Sequence, residues 1–226
     1  MDFSYTDGAA QTVEIQVNNA GKIENKLLRG QIHGKKTDED GAVLQGAHIG
    51  LFFPEERDFI EENAILVCDS GEDGSFGFRN VPWGHWIIAE ITPPTGCVLT
   101  AQVHHVYITG QEQSIQIAME NRHIIGQVQI TKRDGDLPQR LVSGVEFACY
   151  MDNGDGKAGE GDAYIGILEE TELGVYQMND LRYGTYYIQE VSVPDENYRV
   201  DSDPYFFAIA EDGATVVVKN LSLIPI

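Results

Sequence analysis

The stretch "ENRHIIGQVQITKRD", Glu120–Asp134, repeats "ENKLLRGQIHGKKTD", Glu24–Asp38, at a spacing of 96 residues (24 to 120). Glu, Asn, Gly, Gln, Lys and Asp coincide at six aligned positions. Each copy starts beside an asparagine, passes through a run that reads as a buried strand, and reaches a lysine. Side chains alternate along a strand with period two. Val128, Ile130 and Lys132 therefore share one face, as do Ile32, Gly34 and Lys36 in the earlier copy. If the valine and isoleucines face a core, the lysines face it too.

The repeat continues beyond the lysine. "GSFGFRNVPWGHWIIAEITPPTG" (Gly74–Gly96) matches "GVYQMNDLRYGTYYIQEVSVPDENY" (Gly174–Tyr198). Both read as a strand, a tight turn at Gly84 or Gly184, and a strand ending in glutamate before a proline. By the same alternation Trp86, Ile88 and Glu90 share a face, and so do Tyr186, Ile188 and Glu190. Each repeat closes on a last strand, "QEQSIQIAMEN" ending at Asn121 and "DGATVVVKN" ending at Asn220. The closing pattern also stands at the start, in "DGAAQTVEIQVNNAGKIEN", which ends at Asn25 with no lysine-bearing strand before it. Residues 1–25 are read as the remnant of a preceding module, or as an extra strand or arm on the first full one. The full modules are then 26–122 and 123–226.

A chain of 226 residues suits two such modules of about a hundred residues each. Each is large enough to bury a core without disulfides or metal. Short runs such as "VEIQV", "HHVYIT" and "TYYIQEV" alternate with turn clusters such as "TDEDG" and "SGEDGS", the pattern of an all-β sandwich or barrel. "EERDFIEEN" (Glu55–Asn63) reads as an inserted loop with a helical turn. The net charge of −21 repels phosphate backbones and anionic lipid, which argues against nucleic acid and membrane as partners. Solubility accounts for that charge, with cation binding as the rival reading. The three cysteines, Cys68, Cys97 and Cys149, have no metal-site spacing and cannot all pair. Buried free thiols are expected, with a Cys68–Cys97 bridge as the alternative. The sequence has no signal peptide, apolar span or cell-wall sorting signal, so any anchor is expected in regions outside it.

A lysine and a glutamate pointed into an apolar core are costly unless paired. They could form a buried salt bridge, or the lysine could snorkel out. A nearby asparagine adds a third outcome. Desolvation lowers an amine's pKa and raises a carboxyl's. A neutral amine is a nucleophile, and a protonated carboxyl can donate to a carboxamide oxygen and shuttle the proton. Attack on the asparagine carbon expels ammonia and leaves an isopeptide bond, in one turnover driven by fixed proximity.

The order "K-x-D … E-x-x-x-P … N", with glycine-rich turns between, resembles the Cna B-type domains of Gram-positive surface proteins and pilins, also described as SpaA-like or prealbumin-like. The resemblance covers both repeats and, as a remnant, the N-terminal tail. It implies tandem Greek-key β-sandwiches of the prealbumin-like, inverse immunoglobulin-like kind. It also implies that Lys36 joins Asn121 with Glu90 assisting, and that Lys132 joins Asn220 with Glu190 assisting. Asn25 is similar to the acceptor of a truncated upstream domain. Two departures fall in the first module. Gly34 replaces an apolar residue, which is expected to loosen the packing around Lys36, and Cys97 stands where the second repeat keeps Tyr198. The implied function is structural: stalk or pilin-shaft modules of a surface adhesin, extracellular and wall-anchored. Each bond would close a long loop, 85 residues from Lys36 to Asn121, worth about 4–5 kcal/mol by chain-entropy reasoning. It would also carry load that a hydrogen-bond ladder would otherwise bear.

Neighbouring modules of the same protein are the expected partners, and no cofactor is expected. The rival reading is a ligand-binding sandwich for host matrix protein or carbohydrate, with "FFPEERDFIEEN" (Phe52–Asn63) as its candidate loop. "DNGDGKAGEGD" offers Asp152, Asp155, Glu160 and Asp162 as calcium ligands, but lacks the full calcium-loop spacing and also reads as a solvated hairpin. Its G-x-G-x-x-G (Gly154–Gly159) opens no helix, which argues against phosphate binding. His104 and His105 point to opposite faces of one strand and do not suggest a metal pair. No nucleophile elbow or Cys–His pair suggests an enzyme.

Overall fold

The computed structural model describes residues 14–17, 23–196 and 198–225, with side chains for 27–196 and 198–218. Near the start, strands β1 (Glu14–Val17) and β2 (Ile23–Lys26) form an antiparallel pair in which Ile15 opposes Asn25. The Asn25 side chain lies outside the described residues, as do residues 1–13 and 18–22.

The rest of the chain forms two compact units that divide at Asn121 and Arg122, with Gly96–Val98 grouped in the second. The first unit contains β3 (Arg29–Asp38), β4 (His48–Phe52), β5 (Leu66–Asp69), β6 (Ser75–Pro82), β7 (Gly84–Thr92), β8 (Val103–Ile108) and β9 (Ser114–Asn121). Its two sheets run β6-β3-β9 and β5-β4-β7-β8. Ile32, Phe76, Phe78 and Met119 from one sheet meet Ile49, Leu51, Trp86, Ile88 and Val106 from the other in one buried core. The only helical turn among the described residues is Glu61–Asn63, inside the expected inserted loop.

The second unit contains β10 (Ile125–Asp134), β11 (Glu146–Met151), β12 (Ala163–Ile167), β13 (Glu169–Glu172), β14 (Val175–Arg182), β15 (Gly184–Ser192), β16 (Tyr198–Arg199), β17 (Tyr205–Ile209) and β18 (Thr215–Pro225). The sheets run β13-β14-β10-β18-β16 and β12-β11-β15-β17. The core again draws on both, with Val128, Ile130 and Tyr176 against Phe147, Cys149, Tyr186, Ile188 and Phe207. Each unit is a Greek-key β-sandwich, and its alternating strands bury every second side chain.

One pairing positions everything that follows. The first and last strands of each sandwich lie side by side in parallel, β3 with β9 and β10 with β18. Gly84 and Gly184, at φ 136 and 156, open the strands that carry the two glutamates, a conformation other residues rarely adopt.

Gly34 does not loosen the packing around Lys36, contrary to the sequence expectation. A Cβ at Gly34 would lie 1.9 Å from Cζ of Phe76, so the phenyl ring already fills the space. In the second unit Ile130 holds the equivalent place opposite Tyr176.

Candidate functional site

In the first sandwich three strands bring three polar side chains into the core. Lys36 on β3 is 0% exposed, Glu90 on β7 4% and Asn121 on β9 2%. The Lys36 Nζ lies 3.0 Å from Glu90 Oε1. Asn121 donates from Nδ2 to Glu90 Oε2 at 2.7 Å. The backbone N–H of Thr100 donates to the same oxygen at 3.1 Å. Parallel register sets Lys36 opposite Met119 and Asp38 opposite Asn121, so Lys36 and Asn121 are diagonal neighbours on the inner face. One carboxyl thus meets the amine and the carboxamide together.

The second sandwich repeats the arrangement as far as its side chains are described. Lys132 is 0% exposed and Glu190 2%. The Lys132 Nζ donates to Glu190 Oε2 and stands 5.8 Å from the Phe147 ring centroid, within cation–π range. The N–H of Asp201 donates to Glu190 Oε1 at 3.4 Å. Burial pushes the Glu190 carboxyl above its ordinary value, although Lys132 pulls it down. Asn220 lies on β18 between Val218, which pairs with Ile130, and Leu221, which pairs with Lys132; the register slips at that point. The Asn220 side chain lies outside the described residues.

Sequence reasoning missed two features. The aspartate of each K-x-D ends its strand. Asp38 Oδ1 accepts the N–H groups of Asp40 and Ala42, and Asp134 Oδ1 accepts those of Asp136 and Leu137. An aspartate just before a turn-rich stretch carries that signal. The second feature is His104, which opposes Ile88 on the inner face of β8. Burial, and then the Lys36 charge, hold its imidazole below its usual value. The second module places Tyr205 there, opposite Ile188, and its hydroxyl donates to Asp201 at 2.6 Å.

The rival sites fare differently. Phe52 is fully buried, and Phe59 packs edge-on against it at 5.1 Å, so these two rings of the candidate binding loop turn toward the sheet. The three aspartates proposed for calcium are engaged by the loop itself. Asp152 accepts N–H groups of Gly154 and Gly156, Asp155 that of Lys157, and Asp162 those of Asn153 and Gly159. Glu160 joins no metal-competent cluster, and none occurs among the described residues. No disulfide joins Cys68, Cys97 or Cys149.

A family model for the SpaA prealbumin-like fold domain matches residues 30–123 and again 126–222. The chain belongs to the SpaA prealbumin-like fold domain family. Its two SpaA-type domains account for most of its length. Among solved structures it is similar to the Bacillus anthracis TIE protein, with a TM-score of 0.73 and 19% identity over 88% of this chain and 35% of that one. It also matches a streptococcal ancillary pilin at 21% identity, with a TM-score of 0.41 over 88% of this chain and 64% of that one. A third match is the major pilin subunit of Bacillus cereus, at 12% identity and a TM-score of 0.35, covering 86% and 99%. The chain therefore spans only part of the first two of these structures. No curated protein matches its sequence. No helix among the described residues is long and apolar enough to cross a membrane.

Proposed function

We propose that these SpaA-type domains are stalk or pilus-shaft modules of a Gram-positive surface protein, each locked by an isopeptide bond it makes itself. The observation that carries this reading is the buried Glu90 carboxyl, 3.0 Å from the Lys36 amine and 2.7 Å from the Asn121 amide. Lys36 gives its proton to Glu90, and the neutral Nζ attacks the Asn121 carbonyl carbon. The new C–N bond forms, the bond from that carbon to Nδ2 breaks, and Nδ2 leaves as ammonia with the proton Glu90 returns, while the second proton that Nζ sheds on becoming an amide stays on the Glu90 carboxyl. Lys132, Glu190 and Asn220 do the same in the second module. No external substrate is turned over.

The parallel pairing of β3 with β9 supports the mechanical role. The bond joins the first strand to the last, so tension applied to a module's ends loads a covalent link. Reductant does not cleave it, unlike a disulfide. Neighbouring modules or subunits of the same surface polymer are the partners this role requires.

The test is the intact mass of the denatured chain. A deficit of two ammonia molecules is expected, with peptide maps joining Lys36 to Asn121 and Lys132 to Asn220. A full mass would overturn the covalent mechanism and leave two sandwiches with buried ion pairs.

A further inference from the structure

Two histidines far apart in the sequence meet on the outward face of the first module. His85 lies on β7 and His105 on β8. Antiparallel register sets His85 opposite Tyr107 and His105 opposite Ile87, so the two histidines are diagonal neighbours on one face. His104, next in the chain to His105, takes the inner face, as alternation requires. His85 Nε2 lies 2.9 Å from His105 Nδ1. Tyr107 stacks on His85 at 4.4 Å with 13° between the ring planes, which holds that imidazole in place. His105 is exposed and His85 half-buried, so the pair sits at the surface.

The sandwich does not need this pair. The second module places Thr185, Phe206 and Ala208 where the first has His85, His105 and Tyr107. The same sheet forms there without imidazoles.

Two neutral imidazole nitrogens this close share one proton, one ring donating its N–H and the other accepting. A metal ion in place of that proton needs both lone pairs. Each ring can supply one by keeping its hydrogen on the other nitrogen, Nδ1 of His85 and Nε2 of His105. With metal–nitrogen bonds of about 2.0–2.1 Å, a separation of 2.9 Å corresponds to an angle of about 90° at the metal. A tetrahedral ion would hold the two nitrogens about 3.3 Å apart. A right angle suits tetragonal ions, and copper(II) heads the affinity order for such ligands. The net charge of −21 favours any cation. No third His, Cys, Asp or Glu completes a metal-binding group among the described residues, so the other coordination positions fall to water.

We infer that His85 and His105 chelate one divalent transition-metal ion of tetragonal preference, copper(II) foremost, with water in its remaining positions. The ion ties β7 to β8 across the outer face of the first module.

The test adds copper(II) to the metal-stripped full chain and follows its amide NMR spectrum, because the paramagnetic ion broadens only nearby resonances. Substoichiometric copper is expected to broaden the residues around His85 and His105 first. The variants His85→Thr and His105→Phe install the residues of the second module, and unchanged resonances away from the site check their fold. Each variant should weaken binding at this site about tenfold or more, since loss of even a ligand's supporting partner costs that much. Copper should also raise the melting transition of the first module in the parent chain and leave it unmoved in both variants. Broadening that begins elsewhere in the chain, or that both variants leave unchanged, would overturn the proposal. So would a parent spectrum that copper does not alter around the two histidines.

Discussion

Asn121 hands its side-chain amide to the Glu90 carboxylate at 2.7 Å, and neither residue is more than 4% exposed. A carboxylate taken this deep needs partners for both oxygens. Lys36 faces one oxygen, and Asn121 and the Thr100 N–H share the other. The groups come from β3, β7, β9 and the segment before β8, so the whole sandwich must be folded before they meet.

The carboxyls are the first point to probe. Glu90→Gln keeps the shape but cannot carry a proton. The variant is expected to retain one ammonia that the parent chain loses, and Glu190→Gln should do the same in the other module. With the bond unmade, Glu90→Gln also leaves Lys36 buried without a counter-charge, a loss of about 3–5 kcal/mol by the usual cost of breaking a buried pair. Intact mass and urea unfolding read the two effects. An unchanged mass deficit in Glu90→Gln would remove Glu90 from the mechanism.

The second module should respond to pH when it is not cross-linked. Burial raises the Glu190 carboxyl above its ordinary 4.5, so the folded state keeps a proton that the unfolded chain releases. Where the native state binds more protons, stability falls as pH rises. The variant Asn220→Ala keeps the Lys132–Glu190 pair and blocks the bond. Its urea midpoint should fall as pH climbs from 4.5 through the raised value, and be unaffected by Glu190 below it. Asp134 and Glu170 are depressed by hydrogen bonds, so what they contribute is lost only as pH falls through their lowered values. A midpoint that rises over the Glu190 window would contradict the burial argument.

Gly34→Val should damage the first module alone. Phe76 occupies the space into which the new side chain would grow. Overpacking of this kind costs about 1–3 kcal/mol. Calorimetry should show one transition lowered and the other unmoved. A neutral result would mean that the ring can leave without cost.

Asp38→Ala should loosen the end of β3. It removes the acceptor for two backbone N–H groups in the following turn. A loss of about 1 kcal/mol is expected, typical of a net hydrogen-bond contribution. Ammonia release from the first module should also slow, because Lys36 lies two residues away. Hydrogen exchange at Asp40 and Ala42 together with timed mass measurement checks both effects.

Much of this protein is written in its one-dimensional pattern. Period-two alternation put Lys36, Lys132, Glu90 and Glu190 on the same strand faces as apolar residues, because a strand can show a core only every second residue. The repeat spacing marked two modules, and the turn clusters marked strands rather than helices. Pairing across the chain was not legible. Only the tertiary structure put β3 beside β9 in parallel, set one Glu90 carboxyl against both Lys36 and Asn121, and turned Phe76 into the gap at Gly34. It also covered one outer sheet with the segment 53–65. The physical reason is the same in each case: alternation records which face a side chain takes, whereas a contact between residues tens of positions apart depends on register and on which neighbour fills the remaining space.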